Sequence, residues 1–154
     1  MSIEARLQEL NVELPAPPPL GGVYKPVVII GNLAFVSGHG PLKSDGHYIT
    51  GRVGAELDLD AGYQAARQTG LSLLATLKDQ LGSLDRVKRV VKSLGWVNCT
   101  DDFVQQPQVI NGYSELMRDI FGDDAGVGAR SAIGTNVLPG NIPVEIEIAV
   151  EIGD

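Results

Sequence analysis

The chain has 154 residues, of which 44% are apolar and 20% are charged, and its formal net charge is -7. This length and composition predict a single folded domain over residues 1–154 and exclude a disordered chain. The acidic balance argues against nucleic acid as a partner, because phosphate binding draws on clustered Lys and Arg.

The cysteine and histidine content indicates which cellular compartment and which kinds of site are expected. Cys99 is the only cysteine, so no intrachain disulfide can form and a reducing compartment is expected. No apolar run is long enough to cross a membrane, and no leader pattern opens the chain, so we predict a cytoplasmic protein without membrane contact. His39, His47 and Cys99 match no metal-site spacing, and no nucleotide motif is present. We therefore predict neither a metal nor a cofactor.

The first elements in chain order are a short helix and a stiff connector. Residues 1–13 are predicted to be helical, because Ile3, Leu7 and Leu10 recur at helical spacing. Residues 14–20 are rich in proline and are expected to be extended. Such a connector would hold the helix loosely and could let it reach over a neighbouring subunit.

The middle of the chain alternates strands and helices. Two β-rich runs flank Gly31-Asn32, which predicts a hairpin with a two-residue loop. A helix is predicted to begin after Asp58 or Asp60, either of which can cap it, and to stop at Gly82. Residues 86–99 read as a long strand with a break at Gly95.

A second long helix is predicted over residues 107–121, with Gly122 as its end. Helical apolar spacing in both long helices indicates that each has one buried face. We therefore expect one mixed sheet with two helices on one face and a short additional helix at the N-terminus.

The last residues predict a turn and an amphipathic strand. Residues 138–141 read Leu-Pro-Gly-Asn, which is typical of a type II β-turn, and residues 144–152 alternate apolar and polar side chains. If the turn closes a hairpin, Arg130 lies opposite Ala149. It would then share an open sheet face with Glu145, Glu147 and Glu151.

Two interpretations of this arrangement remain open. The first is a surface ion pair that contributes less than about 1 kcal/mol to stability. The second is a binding site in which the planar fork of Arg130 holds a small carboxylate bidentately. A nearby glutamate would then transfer a proton or position a water molecule.

Four motifs, taken in chain order, resemble those of a known protein family. They are VSG after the first hairpin, DRV before the long strand, NGYSEL in the second long helix, and ARSA…LP…VEIE at the end. Together they resemble the RidA/YjgF group of 2-imino-acid deaminases, and the resemblance runs from about Tyr24 to Ile152. It implies a chorismate-mutase-like α/β (α+β) fold and a homotrimer with ligand clefts between subunits, an assembly that would cover the open sheet face.

The resemblance also implies roles for individual residues. Arg130 corresponds to the arginine that grips the substrate carboxylate, and Glu145 to the glutamate associated with the reacting water. The hairpin register puts Glu147 nearer to Arg130 than Glu145, so the working carboxylate stays open between the two. The family's other ligand-binding positions correspond to Tyr24, Gly38, Asn111 and Ala132, the last through its backbone amide.

Two departures from the family pattern bear on reactivity. The residue two past the arginine is often Cys and is Ala132 here, and Gly128 stands where a longer branch of the family often has His. The expected activity is the hydrolysis of 2-imino or enamine acids to 2-keto acids and ammonia, with turnover that is slow or a substrate that is atypical. The alternative is a non-catalytic trimer that binds keto acids or other small carboxylates as a sensor or regulatory partner.

Overall fold

The fold is a five-stranded mixed sheet with two long helices on one face. The computed structural model describes residues 1–154 and contains three α-helices, with strand order β1-β2-β5-β3-β4. This is the predicted chorismate-mutase-like architecture, including the short N-terminal helix. The elements are α1 (Ile3–Glu9), β1 (Val27–Ile30), β2 (Leu33–His39), α2 (Leu59–Leu81), β3 (Val87–Asn98), α3 (Gln106–Ala125), β4 (Ala129–Thr135) and β5 (Val144–Ile152).

The elements with local sequence signals form where they were predicted. The β1–β2 hairpin closes through Gly31, whose φ of 60° is the left-handed conformation that glycine adopts readily. The α2 helix begins after Asp58, whose Oδ1 accepts a hydrogen bond from the Ala61 amide at 2.8 Å. It ends at Gly82, which has a φ of 81°. None of the helices is long and apolar enough to cross a membrane.

One of two predicted breaks occurs. Gly95 does not interrupt β3, which is continuous from Val87 to Asn98. A Cβ at Gly95 would lie 2.7 Å from Cδ1 of Ile110, so this glycine lets α3 approach the strand. Gly122 does break α3 as predicted, since its φ of 91° and ψ of 169° are not helical, and a short helical segment follows it to Ala125.

The N-terminal helix is held by its own chain, contrary to the expected loose arm. It ends at Glu9, earlier than predicted. Its first amide, that of Ile3, donates to Oδ1 of Asp85 at 2.7 Å, and Nε of Arg6 donates to the Asp119 carbonyl at 2.8 Å. Leu7 is buried against the core.

The predicted hairpin between β4 and β5 is wrong. The turn itself forms, since the Asn141 amide donates to the Leu138 carbonyl at 3.1 Å and Gly140 has a φ of 63°. However, β5 pairs antiparallel with β2 and β3, whereas β4 pairs parallel with β3 alone. Residues 136–143 are long enough to cross the end of β3, and β3 gains a hydrogen-bonded partner on each edge.

The crossing of α2 and α3 depends on a close backbone approach at Gly112. A Cβ on this residue would lie 2.0 Å from the Tyr63 carbonyl oxygen. Gly112→Ala is therefore expected to lower the free energy of unfolding by about 3 kcal/mol, the upper range for overpacking a core. Urea denaturation measures the loss.

Gly70→Ala is the matched control on the same helix pair. Its added Cβ would meet the flexible end of Leu116, Cδ2 at 2.8 Å, rather than backbone. Alanine also favours the helix over glycine by about 1 kcal/mol, so we expect a change near zero. Equal losses in the two variants would contradict the close approach at Gly112.

Candidate functional site

Arg130 faces the helices, so the predicted shared face with the glutamates is wrong. In the sheet register Arg130 lies beside Ser93, which in turn lies beside Ile148. Cross-strand neighbours project to the same side, and both Ser93 and Ile148 are buried under the helices. Glu145 and Glu147 precede Ile148 in β5 by three residues and one residue, and these odd spacings make them project to the opposite side.

Helix α3 holds the Arg130 guanidinium by neutral groups. Its Nη1 donates to Oδ1 of Asn111 at 2.8 Å and to Oγ of Ser114 at 3.1 Å. Asn111 and Ser114 are three residues apart and so lie on one face of the helix. Arg130 forms none of the ion pairs in the chain, which removes the surface ion-pair interpretation. Its positive charge is oriented but not neutralised.

A cleft of about 320 Å³ surrounds this arginine and is lined by α3, β3, β4 and the turn before β4. Tyr113 and Ser93 share a hydrogen bond of 2.7 Å at its wall. Burial raises the pKa of Tyr113 to about 12, although the Ser93 hydrogen bond and the Arg130 charge act in the other direction. The phenol is therefore neutral near pH 7. It lines the wall of the cleft and does not act as a proton donor.

A second cleft, of about 610 Å³, contains Glu145, Glu147, Tyr24 and Gly38. Between the pairs Val36–Ile148 and His39–Ile146, β2 has one more residue than β5, so a β-bulge lies opposite Glu147. A Cβ on Gly38 would be 2.7 Å from Oε2 of Glu145. The absence of a side chain at Gly38 therefore gives the carboxylate its room.

The electrostatics of this second cleft raise the proton affinity of one carboxyl. Burial raises the pKa of Glu145, and the nearby charge of Glu147 raises it further. Glu147 is the more exposed of the two. The phenol of Tyr24 accepts a hydrogen bond from the Gly21 amide at 3.1 Å, which fixes the start of the segment that borders the cleft.

The predicted site residues thus fall into two groups. Arg130 and Asn111 are in contact, and Ala132 lies on the same side of β4, since it pairs with Gly95 and hence with Ile146. The second group comprises Tyr24, Gly38 and Glu145. The sheet separates the two groups within one chain.

Sequence reasoning missed two residues that line these clefts. Ser114 lies three residues after Asn111 within NGYSEL, and that spacing was the available signal. Tyr48 lies in the second cleft, where burial and the neighbouring Tyr24 raise its pKa. It lies in the loop after β2, and no local pattern connects it to Tyr24.

The histidine nearest to the second cleft is structural. Nδ1 of His39 lies 2.6 Å from the Ser37 carbonyl, and Nε2 lies 2.7 Å from Oγ1 of Thr76. Burial lowers the pKa of His39, which keeps the ring neutral. Both ring nitrogens are engaged within the protein. The chain has no group of three or more His, Cys, Asp or Glu side chains arranged to hold a metal ion.

Comparisons with known proteins agree with this architecture over nearly the whole chain. The family model described as "YjgF/chorismate_mutase-like, putative endoribonuclease" matches residues 4–151. Protein TCP17 of Trypanosoma cruzi is 38% identical over 152 residues, which are 99% of this chain and 95% of that protein.

Two solved structures are similar along their full length. The protein Atu1372 of Agrobacterium tumefaciens, described as having unknown function, is 40% identical with a TM-score of 0.88, over 98% of this chain and 92% of that one. A "putative endoribonuclease" of Shewanella oneidensis is 30% identical with a TM-score of 0.94, over 99% and 100%. The chain belongs to the RidA/YjgF family.

Proposed function

We propose that this protein hydrolyses 2-imino acids to 2-keto acids and ammonia in clefts between the subunits of a homotrimer. The observation that carries the proposal is the division of the site residues into two incomplete groups on opposite sides of the sheet. The Arg130 group holds a carboxylate anchor, and the one carboxylate residue of its cleft, Glu115, is engaged by the Tyr63 hydroxyl. The Glu145 group holds a carboxyl without an anchor. A neighbouring copy can supply the missing group.

The open sheet face supports self-association. Three apolar side chains of β1 and β2 are exposed there, Val28 by 45%, Ile30 by 66% and Phe35 by 46%. Arg89 and Lys92 on β3 lie on the same sheet as the acidic side chains of β5. An apolar patch bordered by charges of both signs suits contact with a second copy of this chain.

The proposed chemistry begins with orientation of the substrate. The free side of the Arg130 fork binds the substrate carboxylate, while Asn111 and Ser114 hold Nη1 in place. Binding at this end presents the C=N carbon to the Glu145 group of the next subunit. The protonated imine is cationic, so the acidic cleft stabilises it.

Glu145 then moves the protons. It takes a proton from water as the water oxygen bonds to the imine carbon, which gives a carbinolamine. It returns that proton to the nitrogen, and the C–N bond breaks so that ammonia leaves. The hydroxyl gives its own proton to Glu145 as it becomes the keto oxygen, and the departing ammonia carries that proton away as ammonium. A carboxyl with a raised pKa is suited to both steps, because it holds a proton more readily than an ordinary glutamate near neutral pH.

Mixing two inactive variants tests the shared cleft. Arg130→Ala and Glu145→Gln are each expected to be inactive alone, but random exchange of subunits at equal amounts leaves about one cleft in four with both residues intact. We expect activity to recover to about that fraction when the variants are unfolded together and refolded. Imine loss is followed with semicarbazide, using 2-iminobutanoate generated by an amino-acid oxidase.

Three other outcomes are informative. No recovery, with both variants trimeric, would show that the two residues act within one chain. A light-scattering mass close to 16.3 kDa, that of one chain, would remove the intersubunit site. Wild-type protein that binds 2-oxobutanoate without hydrolysing any imine would favour a carboxylate-binding protein instead.

A further inference from the structure

A second arginine lines the Arg130 cleft. Asn111, Ser114 and Arg118 follow one another at steps of three and four residues along α3, and all three line this cleft. The first two hold Arg130. Arg118 is the next group along the same stripe, about 6 Å further by helix rise.

The positive charge of Arg118 is weakly compensated. Its ion-pair partner is the adjacent Asp119, at 3.5 Å between Nη2 and Oδ1, and both side chains are nearly half exposed. An exposed pair of this kind contributes little. Glu115 is the only carboxylate residue lining the cleft, and it accepts a hydrogen bond from the Tyr63 hydroxyl of α2. Two guanidinium groups therefore face one carboxylate.

Two of the residues that line the cleft are glycines. Gly126 and Gly128 line the cleft, and a Cβ on them would lie 2.3 Å from the Met117 carbonyl oxygen and 2.4 Å from that of Val90, respectively. Each glycine therefore packs closely against backbone, and neither adds a side chain to the cleft. The cleft of about 320 Å³ leaves room for a ligand longer than a simple C4 acid.

We propose that this cleft selects 2-imino acids whose side chain ends in a second carboxylate. The carboxylate next to the imine binds Arg130, and the distal carboxylate binds Arg118. In a four- or five-carbon diacid the two carboxyl carbons lie roughly 4–5 Å apart, a distance that two flexible arginine side chains can bridge. This assignment of substrate class rests on the proposed deaminase function.

Ligand binding tests the assignment without turnover. Calorimetry with full-length protein compares 2-oxoglutarate, a dicarboxylic keto acid, with 2-oxobutanoate, its monocarboxylic counterpart. We expect wild type to bind 2-oxoglutarate at least about tenfold more tightly, and Arg118→Gln to weaken that ligand alone by roughly 10- to 100-fold, the scale of one charge-assisted interaction. Arg118→Lys, which keeps the charge, is expected to lose less.

Lys78→Gln is the matched charge control. Lys78 lies in the last turn of α2 outside the cleft lining, and its side chain is as exposed as that of Arg118 and is likewise paired with a carboxylate, that of Glu4. We expect both affinities to stay within about twofold of wild type, because exposed charges at a distance are screened. Equal affinity of wild type for the two keto acids would overturn the assignment, and so would equal losses for both ligands in Arg118→Gln.

Turnover separates this inference from the function beneath it. Imines generated from glutamate and from 2-aminobutyrate are compared under the same trapping conditions. Hydrolysis of both imines without a preference for the dicarboxylic one would contradict the Arg118 assignment and would support the proposed deaminase function. Selective binding of 2-oxoglutarate without hydrolysis of any imine would keep Arg118 as the distal anchor and remove the deaminase.

Discussion

Arg130→Ala is expected to lower kcat/KM for 2-iminobutanoate by about 1,000-fold. The variant loses a charge-assisted, bidentate contact and with it the orientation of the reacting carbon. The fold should survive, because the side chain is partly exposed and its only hydrogen bonds are to Asn111 and Ser114. Initial rates of imine loss in the semicarbazide assay measure the effect.

Two controls separate charge, fork and support at this position. Arg130→Lys keeps the charge but lacks the planar fork, so an intermediate rate is expected. Ser114→Ala removes one of the two acceptors of Nη1 and should reduce kcat/KM by about tenfold, the scale of one hydrogen bond. A rate for Arg130→Ala equal to that of wild type would rule out the carboxylate anchor.

Glu145→Gln is expected to reduce kcat by roughly 100- to 1,000-fold while 2-oxobutanoate binding stays within a few-fold of wild type. Glutamine occupies the same space but can neither accept nor return the proton of water. Single-turnover kinetics measure the chemical step, and calorimetry measures the binding. Glu147→Gln makes the same change on the same strand and should have the smaller effect, since Glu147 is more exposed. The reverse order would move the role to Glu147.

Glu145→Gln should also stabilise the protein near pH 7. Burial and the charge of Glu147 raise the folded-state pKa of Glu145 above its ordinary value of 4.5. Its contribution to stability is fully present below that ordinary value and is lost as the pH rises through the raised one. Glu145→Gln removes this loss, so its melting temperature should exceed that of wild type at pH 7, and the difference should disappear at pH 4.

Local signals in the sequence predicted most of the elements. The Asp58 cap, the Gly82 stop and the Gly31-Asn32 loop each act through residues close in the chain, and the structure contains all three. The pairing of β4, in contrast, depends on residues that are far apart in the chain. Its partner β3 is separated from it by the whole of α3, and no feature of residues 129–135 specifies a parallel neighbour.

The error in pairing changed the geometry of the candidate site. A hairpin would have placed Arg130 opposite Ala149, whereas the parallel register places it beside Ser93 and turns it toward α3. The family motifs singled out Arg130 and Asn111 as separate positions, and only the fold shows that they touch. Which side of a sheet a residue occupies depends on register, and register here depends on a crossover distant in sequence.

The position of Arg130 on an edge strand links ligand binding to local opening of the sheet. No residue of β4 is buried, and β3 is its only partner, whereas alternate residues of β5 are buried between two partners. Such a strand can separate from the sheet without unfolding the centre. Since the ligand contacts a side chain that β4 and α3 hold together, binding favours the closed strand by mass action. Substrate therefore stabilises an edge strand that has no buried residue of its own.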